Sequence, residues 1–373
     1  MTATESPYLW FASILRGDAP DDIDYRDDMS VEKIWQSGLE NGVLALAYYT
    51  LKTSDSSLAL PEALEKKLHQ HSLNSAAAEM KEAHELRKVF SAFTDNNLDF
   101  LLMKGTPLSY SLYPYPYLRT RCDTDLLFQN SSDAEMAWGI LKELGYQRPN
   151  AVSGQYVSHE FTCFRHDKSG TSYTLDLHWK LSNAHLFAGA FDYADLAESA
   201  TLITKLYEGA WALSNLHALL LACMHRVAHM TSGEENRLIW LYDIHLLAEQ
   251  LSDEEWLSFT NLAQSRELSG ICLDGLKTTR SYLATRLPDE VMVALQKSAA
   301  GEKAGIGMGQ SRVAMELSNL RAIPNMKGRL GLIKERLFPD THYMLTKYQT
   351  SHRILLPYLY LRRIIEGMAK TLR

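Results

Sequence analysis

The spacing of apolar residues changes twice along this 373-residue chain, and those changes limit the folds it can adopt. Residues 30 to 95 are predicted to be helical, and one apolar stripe at three- and four-residue steps is formed by Leu73, Ala76, Met80, Ala83, Leu86, Phe90 and Phe93. Residues 96 to 182 instead show the short apolar runs of strands, and helical spacing then returns. We predict an α+β fold with an N-terminal helical segment (1–95), a small mixed-sheet core (96–182) and a C-terminal helical domain with a basic tail (183–373).

Within the predicted core, apolar runs alternate with helix starts. Residues 98–103 (LDFLLM) suit a buried strand, and Thr106 followed by Pro107 predicts a helix N-terminus that runs to about residue 113. The next strand is CDTDLLF (122–128), after which Ser132 and Glu135 have the spacing of a capping box.

Two strands joined by a turn at 167–170 complete the predicted core. The second, YTLDLHWKL (173–181), alternates strictly between apolar and other residues. Its Thr174, Asp176, His178 and Lys180 therefore share one face. Asp176 and His178 are the chemically active members of that face.

Composition and charge exclude several classes of protein. The apolar fraction of 46% is typical of a folded globular chain, and the net charge of −7 disfavours nucleic acid as the main partner. The four cysteines form no C-x-x-C pair, which argues against a zinc ribbon or a disulfide framework. We find neither a signal peptide nor an apolar run long enough to span a bilayer, so a cytoplasmic location is expected.

Asp123 and Asp125 stand two residues apart on a predicted strand, so both carboxylates leave the same face. Burying two like charges is costly unless a cation compensates them, and a divalent metal can do so while phosphate oxygens complete its shell. Asp176 is a third candidate ligand from a separate strand. The alternative is that Asp123 caps a turn or pairs with Arg119 or Arg121, while Asp125 pairs with another arginine. The helix N-terminus after Gly105 favours the metal and phosphate interpretation.

The stretch LDFLLMKGTPLSYSLYPYPYLRTRCDTDLLF, with the later Gly145-Tyr146 and LDLHW, resembles the uncharacterised bacterial nucleotidyltransferase family of the polymerase-β-like superfamily. The resemblance extends to ENGVLALAYYTL and RLIWLYDIHLL in the flanking helices. It implies a nucleotidyltransferase core with Asp123, Asp125 and Asp176 as the metal-binding carboxylates. It also implies that Gly105 and Thr106 lie against a nucleoside triphosphate. Members of this family often accompany exopolysaccharide genes.

The roles that follow from the resemblance are hypotheses. Asp123 and Asp125 hold two Mg²⁺ ions that bind the triphosphate, and Asp176 holds the catalytic ion and orients or deprotonates the acceptor hydroxyl. Lys104 contacts a phosphate or only ends a strand. Arg119 and Arg121 clamp phosphate or form ion pairs. His178 lies near the site or makes a structural hydrogen bond.

Three other features have structural as well as functional interpretations. His225 and His229 have the spacing of a zinc pair but lack the glutamate of H-E-x-x-H, so a buried histidine pair is the better interpretation. Asp243, in an apolar helical run, is expected to be a buried acid tied to a nearby arginine or to a helix N-terminus. Residues 326–373 carry ten Lys or Arg against three acids, a net +7. Such a tail is a packed helix with a solvated basic face, or it contacts an anionic membrane or RNA.

We therefore predict a Mg²⁺-dependent enzyme that moves a nucleoside monophosphate from a triphosphate to an acceptor hydroxyl or phosphate. The expected acceptor is a small molecule or a saccharide intermediate. The alternatives are a non-catalytic nucleotide-binding or regulatory protein on the same fold, and a toxin-like transferase acting on RNA or protein.

Overall fold

A computed structural model of the protein describes residues 5–18, 28–54, 60–152, 154–302 and 312–371. Most of these residues are helical and six strands form one mixed sheet, so the predicted α+β class is confirmed. None of the helices in these ranges is both long and apolar enough to cross a membrane. Arg373, the last cation of the basic tail, lies outside the described residues.

The helices occur throughout the described ranges. They are α1 (Glu5–Arg16), α2 (Asp28–Asn41), α3 (Leu44–Thr53), α4 (Glu62–Asp95), α5 (Gly105–Ser111), α6 (Ser131–Glu143), α7 (His185–Ala188), α8 (Tyr193–Glu198), α9 (Asn215–Ala228), α10 (Leu238–Gln250), α11 (Asp253–Ser265), α12 (Ser269–Leu283), α13 (Asp289–Ala299), α14 (Arg312–Ala322), α15 (Met326–Leu337), α16 (Thr341–Lys347) and α17 (Leu356–Thr371).

The sheet has the strand order β3-β4-β2-β1-β6-β5. Its strands are β1 (Leu101–Met103), β2 (Thr124–Leu127), β3 (Glu160–His166), β4 (Ser172–His178), β5 (Thr201–Leu202) and β6 (Trp211–Ala212). The β3/β4 and β5/β6 pairs are antiparallel, whereas β1 and β6 run parallel. The strands predicted between residues 98 and 181 are therefore present, and two short strands after residue 182 join them.

Residue contacts divide the chain into two units, and the division falls within β2, after Asp125. One unit is Met1–Asn96, Leu101–Asp125 and Leu196–Met308. The other is Asn97–Phe100, Leu126–Asp195 and Gly309–Arg373.

The first unit has a helical core in which α1, α2, α3 and α10 bury their apolar faces with the start of α4. The predicted stripe on α4 is only partly buried. Leu86, Phe90 and Phe93 are fully buried, but Leu73 and Met80 are 53% and 75% exposed. The prediction was wrong for the middle of this helix, because helical spacing shows which residues share a face but not where along the helix that face is covered.

Two predicted helix caps differ from the observed ones. Helix α5 begins at Gly105 with Lys104 before it, so Thr106 lies within the helix rather than at its cap. At the start of α6, the side chain of Asn130 accepts the backbone N–H groups of Ser132 and Asp133, at 2.8 and 3.0 Å. The capping box predicted at Ser132 was therefore wrong, because the helix has already begun at Ser131 and Asn130 satisfies its first amides.

The second unit contains the β3/β4 hairpin, whose predicted turn is confirmed. Gly170 has a φ of 83°, and the Asp167 carboxylate accepts the backbone N–H groups of Ser169 and Thr171. In this unit α6 packs against β4. The antiparallel register places Thr162 opposite Asp176 and Glu160 opposite His178, so these four side chains share one face.

Candidate functional site

Two adjacent strands bring three potential metal ligands together. Asp125 lies in β2, and Asp176 and His178 lie two residues apart in β4, on one face of that strand. One ligand atom from each residue lies within 4.8 Å of the other two. Asp125 and His178 are buried and Asp176 is half-buried. We call Asp125, Asp176 and His178 the ligand group.

Asp123 is outside the ligand group, which is the only such cluster of three among the described residues. Strand β2 begins at Thr124, so Asp123 precedes it, and the alternation that would align Asp123 with Asp125 does not extend to this residue. The structure thus brings together two of the three predicted carboxylates and adds His178.

Each member of the ligand group has a polar neighbour. Asp125 Oδ1 lies 2.5 Å from Lys104 Nζ, and Asp176 Oδ1 accepts a 2.6 Å hydrogen bond from the Thr162 hydroxyl. Glu160 Oε2 lies 2.7 Å from His178 Nδ1. Hydroxyl and carboxylate neighbours of this kind orient ligating carboxylates and histidines in metal sites. The sequence analysis missed Glu160 and Thr162, although pairing the alternating residues of β3 with those of β4 would have found them.

The segment before α5 has unusual backbone geometry. Lys104 has a φ of 56°, in the left-handed region that non-glycine residues rarely adopt. Gly105 follows, and a Cβ there would lie 3.2 Å from the Arg119 guanidinium. Thr106 is buried, and its hydroxyl lies 3.0 Å from that of Thr124, within hydrogen-bonding distance. This backbone directs Lys104 to Asp125 and packs Gly105 against Arg119.

Arg119 forms a buried ion pair. Its Nε and Nη2 donate to both carboxylate oxygens of Asp243 at 2.7–3.0 Å, and the Tyr113 hydroxyl donates to the same carboxylate. Burial disfavours the charged form of Arg119 and so lowers its pKa. The adjacent Asp243 carboxylate opposes this effect, and the pKa is raised above its ordinary value. Of the two partners expected for a buried Asp243, an arginine or a helix N-terminus, this contact is with the arginine.

Arg121 forms a second pair, with Glu79 of α4, through Nη1 and Nη2 at 2.6 and 3.0 Å. The neighbouring Glu82 has a pKa raised from 4.5 to about 7. Burial is the main cause, and Glu79, Glu85 and Asp123 add to it, whereas Arg121 opposes it. The sequence analysis missed Glu82, because no local pattern shows that this part of α4 lies near Asp123.

His225 and His229 form an aromatic cluster with Trp240. The two imidazole centroids are 4.5 Å apart and lie 4.6 and 4.8 Å from the Trp240 ring. Burial lowers the pKa of His225 well below its usual value, and the positive charge of Lys104 lowers it further. The cluster therefore places neutral rings near the Lys104–Asp125 pair.

The model of the uncharacterised nucleotidyltransferase family matches residues 27–284. The chain belongs to this family. The match includes β1, β2, the β3/β4 hairpin and all three members of the ligand group, and it ends before α13 to α17. A search of curated proteins finds no match to the chain.

The chemistry that the family name implies agrees with the chemistry of the ligand group. The family name implies a nucleoside triphosphate as substrate. Carboxylate oxygens suit Mg²⁺ or Mn²⁺, and an imidazole broadens the choice toward other divalent metals. The residues present therefore fit a divalent cation, with Asp125 and Asp176 as its hard oxygen donors.

Proposed function

We propose that the chain is a Mg²⁺-dependent nucleotidyltransferase that moves a nucleoside monophosphate from a nucleoside triphosphate to an acceptor hydroxyl or phosphate. The observation that carries this proposal is the convergence of Asp125, Asp176 and His178 in a chain of this family. The proposed acceptor is a small molecule or a saccharide intermediate, and the proposed location is the cytoplasm.

The ligand group and its neighbours have separate proposed roles. Asp125 and Asp176 would hold Mg²⁺, and Asp123, just before β2, is proposed as a ligand of a second ion. When bound, Mg²⁺ would neutralise the charge that develops on the departing pyrophosphate. Asp176 orients the acceptor hydroxyl and accepts its proton, with the Thr162 hydroxyl positioning its carboxylate.

The basic residues around the strands also divide into two groups. Lys104 supplies a positive charge beside Asp125 that suits a phosphate oxygen, with Gly105 and Thr106 starting the helix that follows. Arg119 pairs with the buried Asp243 carboxylate and Arg121 with the half-buried Glu79 carboxylate, which supports a role in holding residues 119–121 rather than in clamping phosphate.

The substitution Asp176→Asn tests this function. We expect calorimetry to detect nucleoside triphosphate binding that depends on Mg²⁺, and pyrophosphate release with a suitable acceptor. Asp176→Asn should abolish release while retaining nucleotide binding, and Asp192→Asn, at an exposed acid of the same unit, should change neither. Binding without release for any acceptor would instead favour a non-catalytic nucleotide-binding protein. Release only with RNA or protein would favour the toxin-like transferase.

We also propose weak contact with an anionic membrane surface through the C-terminal helices. Helix α17 and the residues before it leave Ile354, Tyr358, Leu361 and Ile365 exposed at helical spacing. Arg362 and Arg363 belong to the same helix. An exposed apolar stripe beside basic residues is typical of helices that lie on membrane surfaces.

A further inference from the structure

The second unit contains a cavity of about 1010 Å³ beside strand β3. Its walls come from β3, α6, residues 148–152, 154–155 and 158, Trp179 and Asp340. A volume of this order is enough for a small-molecule ligand. We call this space the β3 cavity.

The β3 cavity adjoins the ligand group through two of its own lining residues. Thr162 donates its hydroxyl hydrogen bond to Asp176, and the Glu160 carboxylate lies 2.7 Å from His178 Nδ1. A compound that contacts Thr162 is therefore separated from Asp176 only by Thr162, which is hydrogen-bonded to it.

The lining of the β3 cavity has an acidic excess. Its three carboxylates are Glu135, Glu160 and Asp340, and its one cation is Arg148. Arg148 and Glu135 neutralise each other, since Arg148 Nη1 donates to both oxygens of Glu135 at 2.8 and 3.0 Å, and this leaves Glu160 and Asp340 as the acidic excess. A cavity with a net negative charge repels anionic ligands. The lining therefore disfavours the triphosphate and any phosphorylated acceptor.

Aromatic rings supply the apolar part of the lining. Trp138, Phe161 and Trp179 all face the cavity, and the Arg148 guanidinium lies 3.5 Å from the Phe161 ring centroid. Flat aromatic surfaces bind the apolar faces of ligands, and an electron-rich ring also attracts ammonium groups. Carboxylates accept hydrogen bonds from hydroxyl and ammonium groups.

One wall of the cavity is tied to helices beyond the family match. The Glu335 carboxylate of α15 accepts the backbone N–H groups of Gln155, Tyr156 and Val157 at 2.8–3.0 Å. A Cβ at Gly154 would lie 2.3 Å from that carboxylate, so glycine is needed for this approach. The wall is thus preformed, and it depends on a residue outside 27–284.

We propose that the β3 cavity is the acceptor site, and that it takes a non-anionic hydroxyl compound, either neutral or amino-bearing, rather than a phosphorylated one. This inference rests on the proposed transferase function. The acceptor oxygen bonds to the α-phosphorus of the triphosphate, and the bond from that phosphorus to the bridging oxygen of the β-phosphate breaks. Pyrophosphate leaves with the electron pair, and the hydroxyl proton passes to the Asp176 carboxylate and then to solvent.

The test uses the full-length chain and three matched probes: a sugar, its amino derivative and its phosphate ester. Ligand-observed NMR without nucleotide measures binding, and pyrophosphate release measures turnover. We expect the sugar or its amine to bind, and the phosphate ester to bind at least roughly tenfold more weakly. Preferential binding of the ester, or no binding of any probe, overturns the proposal.

Two substitutions in α6 locate the bound probe. Trp138→Ala should weaken probe binding roughly tenfold, while Met136→Ala, at an exposed residue of the same helix, should not. Glu135→Gln should release Arg148 and improve binding of the phosphate ester roughly fivefold, with the exposed Glu143→Gln as its control. Equal effects of a variant and its control would overturn the assignment.

Failure of this inference is distinguishable from failure of the proposed function. Pyrophosphate release that depends on Mg²⁺, together with probe binding insensitive to Trp138→Ala, rejects the cavity but retains the transferase. Probe binding with the expected variant effects, but no nucleotide binding, supports a ligand site and rejects the transferase, and with it the acceptor role.

Discussion

Replacing Glu82 with glutamine should make the protein more stable at high pH but not at low pH. Burial raises the pKa of Glu82 from 4.5 to about 7 in the folded chain, so folding favours its protonated form. Glutamine has nearly the same shape as that form and does not ionise. The substitution therefore removes the cost of keeping a buried carboxylate charged.

The magnitude follows from linkage between protonation and folding. Between pH 4.5 and about 7, the folded chain holds a proton at Glu82 that the unfolded chain has released. The Glu82 contribution to stability is thus fully present below pH 4.5 and is lost as the pH rises through 7. A shift from 4.5 to about 7, at 1.36 kcal/mol per pKa unit, amounts to about 3 kcal/mol as an upper limit.

Urea unfolding of the wild type and Glu82→Gln at pH 5, 6, 7 and 8, with a chelator present, measures this difference. We expect the variant to gain over the wild type with each pH unit and to level off above pH 7. Glu62→Gln, at an exposed acid of the same helix, should give a difference that is independent of pH. A flat difference for Glu82→Gln, or a wild type that gains as pH rises, would refute the reasoning.

Three further outcomes are expected. Arg119→Met leaves Asp243 buried without its cation, and unfolding experiments should show a loss of about 3–5 kcal/mol; a loss under 1 kcal/mol would contradict a buried pair. Asn130→Ala should lower the free energy of unfolding by about 1 kcal/mol, whereas Ser132→Ala should change it by less than about 0.5 kcal/mol. The reverse order would show that Ser132, and not Asn130, caps the helix. In sedimentation with vesicles, the protein should bind anionic but not neutral lipid. Leu361→Asp should weaken binding roughly thirtyfold, since burial of a leucine contributes about 2 kcal/mol. Equal binding to neutral vesicles would reject the basic surface.

The sequence predicts the parts of the site that depend on local periodicity. The alternation in residues 173–181 places Asp176 and His178 on one face of a strand, and the hairpin turn at 167–170 follows from its residue types. The position of Asp125 on a buried strand is likewise confirmed. These features depend on local backbone geometry, namely the two-residue repeat of a strand and the four-residue turn of a hairpin.

Other parts depend on contacts between residues that are far apart in sequence. Arg119 pairs with Asp243, 124 positions later, so the local sequence gives no basis for choosing this acid over Asp123. The sequence pattern also predicts that Asp123 lies on the strand, but β2 begins one residue later. Glu82 acquires its pKa from a buried environment that becomes visible only when α4 is folded against its neighbours.

The carboxylate of Glu335 has a consequence for where the determinants of the β3 cavity lie in the chain. It belongs to α15, which lies outside the family match, and it accepts hydrogen bonds from three consecutive backbone N–H groups of one cavity wall. Under the proposed acceptor role, most of the cavity lining therefore lies within the family match, and the contact that holds one of its walls lies outside it. Exchanging residues 285–373 for those of a homologue would change that contact and leave Asp125 and Asp176 untouched.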